Sequence, residues 1–422
     1  MLVWFVRRPE HVEILYLDFD GFFASVAQQA DPRLRGKPVG IVPFDAAPTK
    51  SMTVIAVSKE AKRLGVKNVM RVPDVLAICP DIILVPQRPD LIRRAHLTLL
   101  SEIESEIPID VVKSIDELAC TLDQHTSVDP RGLSQRIKDR LRKNVGEHIT
   151  CSIGVAANRL LAKIACKVDK PNGITIWHPR EMPQPLLLRP LSDIPGVGDR
   201  MAARLAGRNI TTIDGLLNTR PRQLRALWGS VNGERMWYAL HGYAIQAEPT
   251  QRSMYGHGRV LPPDWRNLPM ARDCSRLLLV KAARRMRRDG FAARQLGLWI
   301  NGLKDGWTAS SALPSVHDDQ ACLTALHLLW VRAERALPPK YVIMRCGVML
   351  TDLTPLGARQ LSLFEEDDTD RQKWERLQDI VDGLNYSHGK RVVTLGAWTP
   401  PAGGFAGGKI AYTRIPDAED FL

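Results

Sequence analysis

No apolar run in this chain approaches the roughly 20 residues needed to cross a bilayer as a helix. The opening "MLVWFVRRPEHVEILYLD" has one short apolar piece and lacks the basic start and small-residue cleavage site of a secretion signal. The seven cysteines are scattered, odd in number and never spaced CxxC, so neither a zinc knuckle nor a disulfide framework is indicated. A reduced, cytoplasmic compartment is the simplest expectation. No internal repeat is visible. Acid is also in deficit: 46 Asp and Glu against 58 Lys and Arg, a formal net charge of +12. Such a surplus points to a polyanionic partner, nucleic acid ahead of a membrane surface. With 422 residues and 45% hydrophobic content, the chain can bury real cores and divide into two to four domains.

Up to about Trp177 strand and helix patterns mix. "KPVGIVP", "MTVIAVS", "IILVP" and "GITIW" read as strands; "SKEAKRLGV", "DLIRRAHLTLLSEIESEI" and "LSQRIKDRLRKNV" read as amphipathic helices. The proline-rich "HPREMPQPLLLRPLSDIP" marks a boundary. An all-helical stretch follows to about Tyr243, then a linker in "AIQAEPTQRS". Strands and helices resume from Tyr255 to about Leu353, and the polar end carries one helix in "DRQKWERLQDIVDGLNY".

In "ILYLDFDGFFASVAQQ" an apolar strand ends on Asp18 and Asp20, and a helix opens at Phe22 and Phe23. A bare carboxylate at a buried strand end costs several kcal/mol unless something pairs with it. A second pair, Asp116 and Glu117, follows Val111, Val112 and Ser114 in "VVKSIDELACTLD". Two such clusters suit a shared oxygen-ligand site for Mg²⁺ and in-line phosphoryl transfer with two ions. Either pair alone equally fits a solvated strand end or a helix cap. In "CSIGVAANRLLAKIACKVDKPNGITIW", Lys163 and Lys170 are candidate phosphate contacts. An ordinary amphipathic helix with a closing turn fits the same pattern. Gly196 and Gly198 in "LSDIPGVGDRMAARLAGRNITTIDGLL" lie between two helical patterns, the layout of a helix-hairpin-helix that offers backbone N–H groups to a DNA phosphate. Arg284, Arg285, Arg287, Arg288 and Arg294 crowd "VKAARRMRRDGFAARQLGLWI", a solvated face or a phosphate-tracking one. "GARQLSLFEEDD" sets an apolar plug, with Leu361, Leu363 and Phe364, in polar surroundings, which suits docking into a partner's groove or folding back.

Taken together, "LYLDFDGFFASV", "SIDE", "GVAANRLLAKIACKVDKPNGI" and "DIPGVG" resemble the Y-family of translesion DNA polymerases, the DinB and UmuC type, over nearly the whole chain. "SIDELAC" and the late "YTRIPDAED" lean toward UmuC. The resemblance implies Asp18, Asp116 and Glu117 as metal-binding carboxylates, with the Phe19 carbonyl as a further ligand and Asp20 as a supporting residue. It implies Phe23 as a steric gate beneath the incoming sugar, Phe22 as core, and Lys170 as a triphosphate contact. Gln360, Leu361, Leu363 and Phe364 look like the family's clamp-binding peptide. Lys59 and Lys62 stand where many members have a Tyr and an Arg that grip the triphosphate, and Gly21 stands where many have a larger residue. Lysine offers charge without the planar donor fork of arginine.

The expected fold is therefore α+β and multidomain, a right-hand polymerase with an antiparallel palm sheet. Its parts would be palm at 1–21 and 87–177, fingers at 22–86, and helix-hairpin-helix thumb at 178–244. A linker at 245–254, a DNA-binding little finger at 255–355 and a clamp-binding tail at 356–422 would complete it. The implied reaction is addition of deoxynucleotides to a primer 3′-OH with two Mg²⁺ ions, Mn²⁺ being an alternative. Primer-template DNA, deoxynucleoside triphosphates, a sliding clamp and an accessory subunit are the implied partners, and the nucleoid the implied place. A non-catalytic polymerase-like adaptor and a palm-type nucleotidyl cyclase are the rival readings.

Overall fold

The computed structural model describes residues 6–43, 52–245, 252–359, 368–388 and 392–395. The chain divides between residues 248 and 249 into two compact units.

The first unit is built on a five-stranded sheet. Its spatial order is Ile174–Ile176, Cys151–Ala156, Ile14–Phe19, Glu117–Thr121 and Val111–Val112. The strand Ile14–Phe19 lies between two antiparallel neighbours and buries side chains on both faces of the sheet, which explains its nearly continuous apolar run. One pair departs from the antiparallel expectation: Cys151–Ala156 and Ile174–Ile176 run parallel. The helix Arg159–Cys166 lies in the connection between them, and a parallel pair needs such a crossover.

Side chains alternate across the sheet, so each strand feeds two cores. Leu15, Leu17, Phe19, Leu118, Cys120 and Ile153 enter one core with helices Phe22–Ala30, Pro89–Glu104 and Pro130–Asn144. Tyr16, Ala119 and Ala156 face the other, with helix Arg159–Cys166 and the helices that follow residue 184. By the same alternation Asp18 and Glu117 share the face of Tyr16 and Ala119. Gly154 decides how close helix Arg159–Cys166 comes. A Cβ there would stand 2.1 Å from the Ala162 carbonyl oxygen and 2.2 Å from the Cys166 nitrogen, so helix backbone rests directly on strand backbone. Asn158 caps this helix and also donates to the carbonyls of Ala239 and Tyr243.

A smaller mixed sheet of Val39–Val42, Ala56–Val57 and Ile83–Pro86 belongs to the same unit. So do the short helix Lys59–Arg63 and the helices Asp199–Ala206, Ile213–Leu217, Pro221–Trp228 and Val231–Leu240. In the second unit four antiparallel strands, in the order Met254–Val260, Arg345–Pro355, Phe291–Asn301 and Gly306–Val316, cover one face with helices Leu268–Arg288 and Asp319–Ala336. Helix Asp368–Ser387 is where the sequence pattern puts it. Among the described residues no helix is long and apolar enough to cross a membrane.

Replacing Gly154 with Ala should lower stability by about 1–3 kcal/mol, because the added methyl meets backbone that cannot step aside. A fall in the urea midpoint at unchanged slope checks this.

Candidate active site

Strand register brings the carboxylates together. Asp18 is the direct partner of Glu117 across two antiparallel strands, and the Phe19 amide donates to the Asp116 carbonyl at 2.8 Å. Neighbouring like charges at such spacing repel, and each has acquired a partner. Lys170 forms an ion pair with Asp18. Lys163 donates to both oxygens of Glu117, at 2.6 and 2.8 Å, and to the Tyr16 hydroxyl at 3.1 Å. The Ser114 hydroxyl donates to Asp116 at 2.5 Å. Behind this loop, buried His96 meets the Ile115 carbonyl at 2.8 Å.

Burial pushes the Asp18 carboxyl up to about 6 against the pull of Lys170, and the charges of Asp116 and Glu117 add to the rise. Burial raises Asp116 as well, offset in part by the Ser114 hydroxyl. For Lys170 burial works downward, but the charge and hydrogen bond of Asp18 outweigh it and hold the ammonium above its ordinary value.

Asp20 does different work. One of its oxygens accepts from Ser152 at 2.8 Å, the other from Thr150 at 3.0 Å and from the Asn172 amide at 2.8 Å. It thereby ties the end of its strand to the neighbouring strand and to the turn that carries Lys170.

Three carboxylates of hard oxygen chemistry stand against two ammonium groups, and two of the carboxyls are driven toward protonation. A divalent cation of the Mg²⁺ kind relieves that combination, so the donor set fits. Among the described residues no group of three or more acidic, His or Cys side chains is assembled as a metal cage. The lysines hold the carboxylates instead.

Two family models match the chain. Residues 17–167 match the impB/mucB/samB family, and residues 252–363 match that family's C-terminal domain. DNA polymerase IV of Moorella thermoacetica is 32% identical over 408 residues, covering 94% of this chain and 98% of the relative. DNA polymerase IV 1 of Bacillus subtilis is 28% identical, covering 91% and 92%. The chain belongs to the Y family of DNA polymerases, in its DinB type. Solved structures share the fold. A Y-family chimera, Dbh-Dpo4(243-245)-Dbh, superposes with a TM-score of 0.66 at 24% identity, over 81% of this chain and 99% of that one. An insertion ternary complex of Dbh DNA polymerase gives 0.55 at 23% identity, over 80% and 98%. The right-hand, α+β multidomain architecture and the polymerase activity follow from the family.

The other predicted site residues of this DNA polymerase are distributed as follows. Phe22 is buried and packs on Phe19 with ring centres 5.4 Å apart. Phe23 is buried too, bordering an open cavity of about 440 Å³ with Ala27, Leu34, Ile41 and Leu91. Gly21, between Asp20 and these rings, has a left-handed φ of 57°, and a Cβ there would lie 3.3 Å from the Val57 carbonyl oxygen. Lys59 and Lys62 open and nearly close helix Lys59–Arg63, the first half-buried and the second exposed. Gly196 also takes a left-handed φ, 91°, and Gly198 caps helix Asp199–Ala206 with open space around it.

The arginine run needs correction. Arg287 is turned inward with 6% of its side chain exposed, ion-paired with Asp319 at 2.7 Å and Asp382 at 2.7 Å and donating to the His317 carbonyl. Helical periodicity is the reason: Arg287 follows Ala283 by four positions on a face that meets two other helices. It is therefore withdrawn from the DNA-facing set. Arg285 leans on the sheet through the Gly256 carbonyl, and Arg288 sits beside Asp289. Arg284 borders a cavity with Asp319 and Asp382, and Arg294 pairs with Asp352 at 3.0 Å. Gln360, Leu361, Leu363 and Phe364 lie outside the described residues.

Sequence reasoning missed Ser114, Thr150, Ser152, Tyr16 and His96. Ser152 alone carried a signal: it stands opposite Asp18 in the register, at a polar position inside an otherwise apolar strand.

Substituting Arg287 with Ala strips the cation from buried Asp319 and from the partly exposed Asp382, and should destabilise the second unit by about 3–5 kcal/mol. Urea unfolding followed by tryptophan fluorescence, to which Trp265, Trp299, Trp307 and Trp330 of that unit contribute, checks this.

Proposed function

We propose that this translesion DNA polymerase adds deoxynucleotides to a primer 3′-OH by two-metal phosphoryl transfer and acts in DNA damage tolerance, within the SOS response. The observation that carries the reading is the pairing of Asp18 with Glu117 across adjacent strands, with Asp116 beside them. No adaptor and no purely structural role requires three carboxylates at one strand end, two of them pushed toward neutrality.

Asp18, Asp116, Glu117 and the Phe19 carbonyl would hold two Mg²⁺ ions, or Mn²⁺. The ions supply charge neutralisation on the triphosphate and activation of the 3′-OH. Asp18 and Asp116 would serve both ions and Glu117 would help hold the one that activates the 3′-OH, while Asp20 keeps the turn of Lys170 against the strand end. Lys170 leaves Asp18 for the triphosphate, and Lys59 and Lys62 reach it from the fingers. Phe23 closes the space beneath the sugar against a 2′-OH. Gly196 and Gly198 form the helix-hairpin-helix that presents amides to a DNA phosphate. Arg284, Arg285 and Arg288 track the duplex backbone. The domain bounds expected from the sequence, a sliding clamp held through Gln360–Phe364, an accessory subunit and a nucleoid location belong to the same proposal.

Asp116→Ala should abolish Mg²⁺-dependent primer extension, by at least about a thousandfold for loss of a metal-bridging carboxylate, while gel-shift affinity for primer-template survives. Retained extension rejects the assignment. Surviving DNA affinity with no extension by the unaltered chain would favour the adaptor instead. Phe23→Leu should raise ribonucleotide incorporation relative to deoxynucleotide; an unchanged ratio removes Phe23 from the gate.

A further inference from the structure

Lys163 is a charged group in direct contact with the carboxylate cluster that the proposed mechanism leaves unused. From sequence it reads as a phosphate contact. Its geometry is different. An ammonium has three donors, and those of Lys163 face both oxygens of Glu117 and the Tyr16 hydroxyl. Its charge also lies 5.2 Å from the centre of the Tyr16 ring. Nothing is left over for a phosphate while these contacts hold.

Nor is Lys163 a surface side chain that happened on an acid. Its helix rests backbone to backbone on the strand at Gly154 and is capped by Asn158. Tyr16, its second partner, is 2% exposed and fixed in the sheet.

A metal ion at Glu117 would share the two carboxylate oxygens that Lys163 already contacts, and two cations on one carboxylate repel. We propose that Lys163 is a resident counter-ion of the catalytic cluster: it holds Glu117 in the free enzyme and has to leave it before a divalent ion binds there. Lys163 therefore raises the ion concentration at which that position fills. It is a positioning residue, acting through Glu117. The inference rests on the proposed assignment of Glu117 as a metal ligand.

The test is a Mn²⁺ titration of the full chain without DNA or nucleotide, followed by the loss of free-ion EPR signal. Lys163→Met keeps the length of the side chain and removes its charge. It should bind Mn²⁺ about tenfold more tightly at one site, the effect of removing one nearby cation in partly screened surroundings. Lys163→Arg keeps the charge and should bind Mn²⁺ as the unaltered chain does. Glu117→Gln should lose that site in every background. If Lys163→Met leaves affinity unchanged or weakens it while Glu117→Gln still removes a site, the counter-ion role is overturned and the metal assignment stands. If Lys163→Arg gains affinity as Lys163→Met does, charge is not the cause and the proposal also fails. If Glu117→Gln changes nothing, the assignment of Glu117 falls and takes the proposal with it. Should Lys163→Met not fold by far-UV circular dichroism, Lys163→Gln is titrated against the same expectation.

Discussion

Two carboxylates facing one another across a sheet are the constraint around which the first unit is arranged. Strand register leaves Asp18 and Glu117 no choice of neighbour. A β-strand alternates its side chains, so the same residues that make Leu15, Leu17 and Phe19 core make Asp18 a charge on the opposite face. That charge is tolerable only with cations nearby. The crossover helix and the turn after it supply them, Lys163 for one acid and Lys170 for the other. Their reach depends on how near the helix lies, and Gly154 sets that distance. A missing methyl group in one strand thus governs the electrostatics of its neighbours.

The balance reached is deliberately incomplete in charge. Two ammonium groups face three acids: Lys163 pairs with Glu117 and Lys170 with Asp18, while Asp116 accepts from the Ser114 hydroxyl. Full neutralisation by lysines would make a stable and inert core. With one more acid than ammonium the cluster can take further positive charge, and burial, which holds the Asp18 and Asp116 carboxyls above their ordinary values, adds to that tendency. Asp20 differs in its partners, since its three hydrogen-bond donors are neutral groups fixed in the fold. Two acids two residues apart, on one strand end, come to serve unlike ends through the partners that register gives them.

Much of this was legible in the sequence because strand and helix periods are local. The strand ending at Asp18, the helix from Phe22, the amphipathic helices Pro89–Glu104 and Pro130–Asn144 and the tail helix all follow from patterns a few residues long. The carboxylates were legible as a set only through the family resemblance, since each pair alone fits a solvated strand end. What sequence could not give was partnership at a distance. Lys163 meets Glu117 across 46 positions and Thr150 meets Asp20 across 130, and no local pattern encodes either. The parallel pair in the palm escaped for the same reason: direction is a property of the crossover, not of either strand.

Arg287 shows the same limit with the sign reversed. Five arginines in a short stretch read as a surface, because burying a guanidinium unpaired is prohibitive. Burial becomes feasible when acids arrive from elsewhere, here Asp319 from one helix and Asp382 from another 95 positions along. Lys163 with Glu117 and Lys170 with Asp18 cancel in the net charge, and Arg287 with Asp319 and Asp382 leaves one negative charge, so none of these groups carries the surplus of +12. Net charge points to a polyanionic partner, whereas the density of arginine along the chain does not by itself say which of those arginines the fold turns inward.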